Sequence, residues 1–207
     1  MNGKSKKVGK ILIVNTGPTG QEQYGACPVD GKAEAPLSRW AQAVADRLNE
    51  YAVKEVYTCP VPGAEEMAAI IAARFAMKAD MLPELTSPQR LCWRGMDPED
   101  AMVMDCSFAE APAEVKVKLP FDNSIDELRT MVAAAIDSIS VKHKKEAVVI
   151  VSHRALTVIM ILHMLHMHNR HYRQVAQDYG AVNLFETRFG MASALFINDT
   201  CHLQGLM

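Results

Sequence analysis

The sequence predicts an α/β protein, a three-layer sandwich with a mostly parallel central sheet, helices on both faces and a small inserted cap region. Short apolar runs alternate with amphipathic helical patterns along most of the chain, as they do in α/β folds. Two of these runs, residues 11–14 and 147–151, are continuously apolar, which is typical of central parallel strands covered on both faces. With 207 residues, 49% of them hydrophobic, the chain can bury one full core, so we expect a single domain over residues 1–207.

The first part of the chain has the pattern strand, helix, strand, helix. After the first strand, apolar residues recur at helical spacing over residues 38–51, and a short strand follows at 55–59. Pro62 suits the first turn of a helix that an apolar stripe extends to residue 75. From residue 81 to about residue 121, prolines and a lack of periodicity indicate a cap-like insertion rather than another strand and helix.

Regular patterns return at residue 124. Ser124 and Glu127 have the spacing of a capping box, and an apolar helical stripe follows them to residue 139. After the strand at 147–151 we expect a buried helix over 155–167 and a second helix over 171–179. Residues 181–187 and 193–198 have strand-like composition on either side of Phe189-Gly190, which predicts an antiparallel hairpin.

Polar residues follow both of the continuously apolar strands. Asn15-Thr16-Gly17 ends the first strand, and Ser152-His153 ends the strand at 147–151. Open α/β sheets place their ligand sites outside the carboxyl ends of the strands, so His153 and Thr16 are candidate functional residues. They would face each other only if the two strands are neighbours.

Other candidate sites are weaker. Gly20 and Gly25 have the spacing of a P-loop, but alanine and cysteine follow them where that motif needs lysine and then serine or threonine. Four clustered histidines lack a cysteine or carboxylate spaced to complete a metal site, so we expect surface histidines and no metal; they are His163, His166, His168 and His171. We expect His143, between lysines, to be solvated and His202 to be a free side chain.

Composition limits the partners and the location. A formal net charge of -2 with interspersed signs gives no basic face for nucleic acid. The longest apolar segment is shorter than the roughly 20 residues of a membrane span, and five cysteines without a CxxC pair fit reduced thiols in the cytoplasm. Methionines at helical spacing at Met160, Met164 and Met167 leave an interaction or homo-oligomerisation role open.

Taken in order, these elements resemble the histidine phosphatase superfamily, with its phosphoglycerate-mutase-like fold, over nearly the whole chain. The family's Arg-His-Gly-Glu-Thr motif is similar to Asn15-Thr16-Gly17-Pro18-Thr19, and its Val-Ser-His-Gly motif to Val151-Ser152-His153-Arg154. Its Ser-Pro-Leu-x-Arg-Ala motif resembles residues 59–64, with Gly63 in place of arginine. Pro36-Leu37-Ser38 and Trp93-Arg94-Gly95 also look like family segments.

The resemblance implies a degenerate catalytic site. In the family, one histidine carries the phosphoryl group, two arginines and a second histidine hold its oxygens, and an acid protonates the leaving group. The nucleophile position falls on Thr16, the arginine positions on Asn15 and Gly63, and the second histidine on His153. Glu84 resembles the acid. Of the nucleophile and the three phosphate-holding positions, His153 alone keeps the family's residue type.

These substitutions predict a protein that has lost phosphohistidine-based phosphomonoester hydrolysis and serves a binding or regulatory role. Its expected partner is a phosphorylated small molecule or a protein, with no cofactor. The alternative is an active phosphatase or mutase-like enzyme with a pocket rebuilt around His153, in which that histidine activates the Thr16 hydroxyl. Arginines at new positions would then replace the lost cations; the candidates are Arg39, Arg90, Arg94 and Arg154.

Overall fold

A six-stranded sheet runs through the computed structural model, which describes residues 8–17, 36–85 and 122–206. The strands lie in the order β3-β2-β4-β1-β5-β6. β1 to β4 are parallel, whereas β5 runs antiparallel to β1, and β6 antiparallel to β5. The predicted mostly parallel sheet and the C-terminal hairpin are therefore confirmed. The strand bounds are β1 Gly9–Asn15, β2 Val53–Thr58, β3 Ala79–Met81, β4 Ala147–Ser152, β5 Val182–Arg188 and β6 Met191–Asp199.

Helices cover both faces of this sheet, as the sequence predicts. They are α1 Leu37–Leu48, α2 Pro62–Arg74, α3 Asp122–Lys142 and α4 Arg154–Met164. α1 packs against α2, and α3 against α4. The connections through α1 and α2 lead from β1 through β2 toward the β3 edge of the sheet, and the connection through α3 returns from β3 to β4. Because parallel crossovers are right-handed, α3 lies on the face opposite α1 and α2, and α4 packs against α3 on that face.

The core lies on both sides of β1 and β4. Ile11 to Val14 and Val148 to Val151 are buried, which explains why both stretches are continuously apolar. Trp40 and Val44 of α1 pack against one face, and Ile159 of α4 belongs to the same buried cluster. Within the described residues, no helix combines the length and hydrophobicity that a membrane span needs.

The predicted helix over 171–179 is wrong. The chain forms a short 3-10 helix, Asn169–Gln174, and then continues without regular structure to residue 178. The backbone N–H of Asp178 donates to Asn198 Oδ1 at 2.7 Å, and its carbonyl oxygen accepts from Asn15 Nδ2. These tertiary hydrogen bonds occupy backbone groups that a longer helix would need for itself.

Helix ends also differ from the sequence expectations. α4 stops at Met164 because His166 adopts a positive φ of 53° and the Met167 N–H bonds back to the Leu162 carbonyl oxygen, a Schellman ending. α3 begins at Asp122, so Ser124 lies inside the helix and the predicted capping box is wrong. β3 was not predicted. The cap-like insertion expected at about 81–121 lies outside the described residues from residue 86 onward.

His143 is buried, so the prediction of a solvated side chain is wrong. Its Nδ1 lies 2.8 Å from Glu146 Oε2, and its Nε2 lies 3.0 Å from the Tyr57 hydroxyl and 2.7 Å from Glu55 Oε2. The tyrosine hydroxyl also donates to Glu55. Neighbouring lysines in the sequence suggested an exposed segment, but the end of α3 turns this one side chain toward β2 and its polar residues.

Candidate functional site

The carboxyl ends of three parallel strands meet at one edge of the sheet. β1 and β4 are neighbours in register, with Asn15 opposite Ser152, and the Thr16 N–H donates to the Ser152 carbonyl oxygen at 2.9 Å. On the other side of β4, the Cys59 N–H donates to the Val151 carbonyl oxygen at 3.3 Å. The two strands are neighbours, so the condition for their polar ends to meet is fulfilled.

This edge is also the topological switch point of the fold. The chain leaves β1 toward α1 on one face of the sheet and leaves β4 toward α4 on the other. Adjacent strands followed by helices on opposite faces leave a crevice between them, and open α/β proteins bind ligands there. We refer to Asn15, Thr16, Cys59 and His153 as the strand-end site.

Asn15 and Thr16 are held from both sides. Asn15 Nδ2 donates to the Asp178 carbonyl oxygen at 2.7 Å, while its Oδ1 is buried and has no hydrogen-bond partner in the described part of the chain. Thr16 accepts from the Gly180 N–H at 3.2 Å through its carbonyl oxygen. The backbone at the end of β1 is thus fixed, and Asn15 presents a buried acceptor with unused hydrogen-bonding capacity.

Gly17 shows why a small residue follows this strand. A Cβ at this position would lie 2.9 Å from Leu37 Cδ1 and 3.1 Å from Trp40 Cβ. Both neighbours belong to α1, which packs closely against the chain as it leaves β1. A larger residue here would therefore require Leu37 and Trp40 of α1 to shift.

His153 is buried at the N-cap position of α4. Its Nε2 is inaccessible to solvent and has no hydrogen-bond partner among the described residues. Burial lowers the pKa of His153 to about 4, because the imidazolium would lose its hydration without gaining a partner. At neutral pH the ring is therefore uncharged.

Cys59 lies beside His153, and its thiol is unreactive at neutral pH. Its thiol is hydrogen-bonded by the backbone of His153 and the side chain of Ser152, yet burial raises its pKa to about 11, and the charge of Glu65 acts in the same direction. The thiolate is the nucleophilic form of cysteine, so Cys59 stays a neutral thiol at physiological pH.

The structure adds one polar residue that the sequence reasoning missed. Thr157 Oγ1 is buried in the first turns of α4 and has no described partner, and the Thr157 N–H donates to the His153 carbonyl oxygen at 3.0 Å. A threonine four residues after His153, flanked by Leu156 and Val158, was the available signal. Residues four apart lie on the same face of a helix.

Gly63 and Glu84 are placed at the same edge of the sheet but add little to the site. Gly63 is buried in the first turn of α2, whose approach is fixed by the Val61 N–H bonding to the Cys59 carbonyl oxygen at 2.8 Å. Having no side chain, it presents no cation. Glu84 is exposed in the 3-10 helix Pro83–Leu85 that follows β3.

The described part of the strand-end site is electrically neutral apart from Glu65 beside Cys59. Arg39 is exposed on α1, and Arg154 is partly exposed at the first position of α4. Arg90 and Arg94 lie outside the described residues. The site therefore offers neutral hydrogen-bonding groups: an amide oxygen, an uncharged imidazole and hydroxyls.

This fold is that of a known family. The family model of the histidine phosphatase superfamily (branch 1) matches residues 34–200, and the chain belongs to this family. The match begins after β1, so Asn15-Thr16-Gly17 lies outside it. No curated protein is similar enough in sequence to match the chain.

Solved structures share the whole architecture. Phosphoserine phosphatase from Entamoeba histolytica, in complex with 3-phosphoglyceric acid, has a TM-score of 0.72 and 20% identity, covering 94% of this chain and 99% of that one. YhfR from Bacillus stearothermophilus has a TM-score of 0.69 and 18% identity, with the same coverage, 94% and 99%. A putative alpha-ribazole-5'-P phosphatase from Escherichia coli has a TM-score of 0.64 and 15% identity, covering 93% and 97%. Identities this low show a shared fold.

Proposed function

We propose that this member of the histidine phosphatase superfamily has lost phosphohistidine-based phosphomonoester hydrolysis and uses the strand-end site in a binding or regulatory role. The observation that carries the proposal is the neutrality of the buried groups at the end of β1 and β4. The nucleophile position, the phosphate-holding positions and the N-terminus of α2 all lack what phosphoryl transfer needs.

Thr16 is poorly suited to act as the nucleophile. A threonine hydroxyl is a weak nucleophile until a neighbouring base removes its proton. His153 is the candidate base, but burial holds its pKa at about 4, far below the value near 7 that suits a general base at neutral pH. The pair Thr16 and His153 therefore lacks the driving force for proton transfer.

A phosphate clamp also needs positive charge. Charge-assisted hydrogen bonds are roughly twice as strong as neutral ones, and they matter most when charge develops on the phosphoryl oxygens. Asn15 uses its amide N–H group on the Asp178 carbonyl oxygen, Gly63 has no side chain, and His153 is uncharged. The three positions that correspond to the family's phosphate-holding residues thus offer no full positive charge.

Glu65 weakens the remaining anion-binding element. The N-terminus of a helix attracts anions through its free N–H groups, and α2 begins at this edge of the sheet. Glu65 lies in the first turn of α2 and is close enough to act on Cys59. Its carboxylate already interacts with the positive end of the α2 dipole and would repel a second anion there. A phosphorylated small molecule or protein partner would therefore bind through groups other than a dianionic phosphoryl.

The test is turnover and phosphate binding by the purified protein. We expect no release of p-nitrophenol from p-nitrophenyl phosphate above background, no acid-labile phosphoenzyme, and no saturable binding of inorganic phosphate by calorimetry. His153→Ala is compared with His163→Ala, a control histidine of the same helix that bonds Asp137 at 3.2 Å. Robust turnover that His153→Ala abolishes and His163→Ala retains would refute the proposal and favour the rebuilt-pocket alternative.

A further inference from the structure

Three different metal-ligating side chains meet where β6 ends. Asp199 is the last residue of β6, and a short 3-10 helix, Cys201–Leu203, follows it. A carboxylate oxygen of Asp199, the Cys201 sulfur and a ring nitrogen of His202 all lie within 4.8 Å of one another. We call these three residues the C-terminal cluster. None of them belongs to the strand-end site.

The hydrogen bond of His202 identifies which ring nitrogen is available. Nε2 lies 3.1 Å from the Gly180 carbonyl oxygen, which can only accept, so Nε2 carries the proton. In the neutral ring the lone pair is then on Nδ1. Nδ1 is buried and has no hydrogen-bond partner in the described chain. Because Nε2 bonds Gly180, the expectation of a free side chain at His202 is wrong.

This arrangement matches the way proteins prepare a histidine ligand. A metal-binding histidine almost always donates its other ring N–H to a carboxylate or a backbone carbonyl, which fixes both the tautomer and the ring orientation. Gly180 supplies that carbonyl here. A buried lone pair with no donor is otherwise an unexplained loss of hydrogen bonding.

Asp199 is fixed as well. Its Oδ1 accepts from the Cys201 N–H at 3.0 Å, and its Oδ2 accepts from Arg47 Nε at 3.2 Å and from an Arg47 terminal nitrogen at 3.1 Å. Oδ2 thus has both of its acceptor sites on Arg47, whereas Oδ1 retains further acceptor capacity. Arg47, which also pairs with Glu50, places a positive charge beside the two negative charges that a carboxylate and a thiolate bring together, and this lowers the repulsion between them.

We propose that Asp199, Cys201 and His202 bind a divalent transition-metal ion such as Zn²⁺ through a carboxylate oxygen, the thiolate and Nδ1. Oxygen, sulfur and imidazole nitrogen are the ligands that Zn²⁺ takes in proteins. Cys201 is exposed, so the ion has an entry path and solvent completes its coordination. On binding, the S–H bond of Cys201 breaks, a metal–sulfur bond forms, and the proton passes to solvent.

His202 links the C-terminal cluster to a part of the fold that is distant in sequence. It donates to the Gly180 carbonyl oxygen, and the Gly180 N–H donates to the Thr16 carbonyl oxygen at 3.2 Å. A metal bound to His202 therefore holds this side chain against the segment that supports the end of β1. Because Gly180 orients His202 in the folded protein alone, the ion binds the folded cluster more tightly than the unfolded chain and raises the thermal unfolding midpoint.

Alkylation of Cys201 tests the proposal residue by residue. The native protein is treated with iodoacetamide with and without Zn²⁺, and each cysteine is followed by peptide mass spectrometry. We expect Zn²⁺ to slow modification of Cys201 at least ~10-fold, a protection that His202→Gln removes. Glutamine keeps an N–H donor for Gly180 but lacks the Nδ1 lone pair. His168→Gln, which changes an exposed histidine outside the cluster, retains the protection.

A second measurement does not depend on how His202→Gln folds. Co²⁺ added to the wild-type protein gives a thiolate-to-cobalt charge-transfer band, which the conservative change Cys201→Ser at an exposed position eliminates. The proposal is overturned if Zn²⁺ leaves the alkylation of Cys201 unchanged, if protection persists in folded His202→Gln, or if Cys201→Ser retains the band.

Discussion

The burial of His153 makes the stability of the fold depend on pH. His153 has its pKa lowered from 6.5 to about 4 in the folded protein because its charged form is desolvated. Above pH 6.5 the ring is neutral in both folded and unfolded chains, so it imposes no penalty. Between pH 6.5 and about 4 the unfolded chain binds a proton that the folded chain does not, and stability falls as the pH falls.

The size of this effect follows from the two pKa values. Their difference of about 2.5 corresponds to about 3 kcal/mol when it is fully expressed, at roughly 1.36 kcal/mol for each pKa unit. About 2 kcal/mol is lost by pH 5, and most of the remainder by pH 4. His153→Gln replaces the ring with an amide that does not titrate, so this part of the pH dependence disappears from the variant.

The assay is urea unfolding of wild type, His153→Gln and the control His163→Gln at pH 7.5, 6 and 5, followed by circular dichroism. Groups other than these two histidines are present in all three proteins and cancel when the differences between proteins are taken. We expect wild type and His163→Gln to lose about 2 kcal/mol more than His153→Gln between pH 7.5 and pH 5. Equal losses in His153→Gln and wild type would refute the assignment of a buried, neutral His153.

Three further predictions concern the support of the site, the hairpin and the thiols. Asn183→Ala should lower the free energy of unfolding by about 3 kcal/mol in denaturant titrations. The buried Asn183 side chain exchanges two hydrogen bonds with Gln177, donates to the Ile13 carbonyl oxygen and accepts from the Asn198 N–H. Phe189→Asn should raise the thermal unfolding midpoint and increase the free energy of unfolding by about 1 kcal/mol. Phe189 and Gly190 have φ values of 53° and 76°, which define a turn that favours Asn-Gly. An unchanged or lower midpoint would contradict this prediction. Cys59 should resist iodoacetamide in the native protein at pH 8 and react only after unfolding, as read by peptide mass spectrometry, because its thiol is buried with a pKa of about 11.

The regular elements of the fold were predictable from the sequence because their patterns are local. Continuous apolar runs marked β1 and β4, and apolar residues at helical spacing marked the four helices, each within a few residues of its bounds. The Phe189-Gly190 turn located the hairpin. The secondary-structure prediction failed where long-range contacts determine the backbone conformation. At Asp178, the N–H and carbonyl groups bond to the side chains of Asn198 and Asn15 instead of forming helical hydrogen bonds.

The sequence identified part of the candidate site but not its chemistry. Thr16 and His153 were found because each follows a continuously apolar strand, and their meeting required β1 and β4 to be neighbours. The burial of His143 was missed because lysines flank it in the sequence, and the hydrogen bond of His202 was missed because this residue lies near the C-terminus. Their actual partners come from other elements: Tyr57 for the first and Gly180 for the second.

The sequence shows that asparagine and threonine end β1 and that glycine follows Pro62 at the start of α2, residues that the resemblance aligns with the family's arginines and nucleophile. The three-dimensional contacts were needed to find that His153 is neutral, that Cys59 is an inert thiol and that His202 presents Nδ1. The physical reason is that protonation and tautomer depend on desolvation and on hydrogen-bond partners. In this fold both are supplied by residues far apart along the chain.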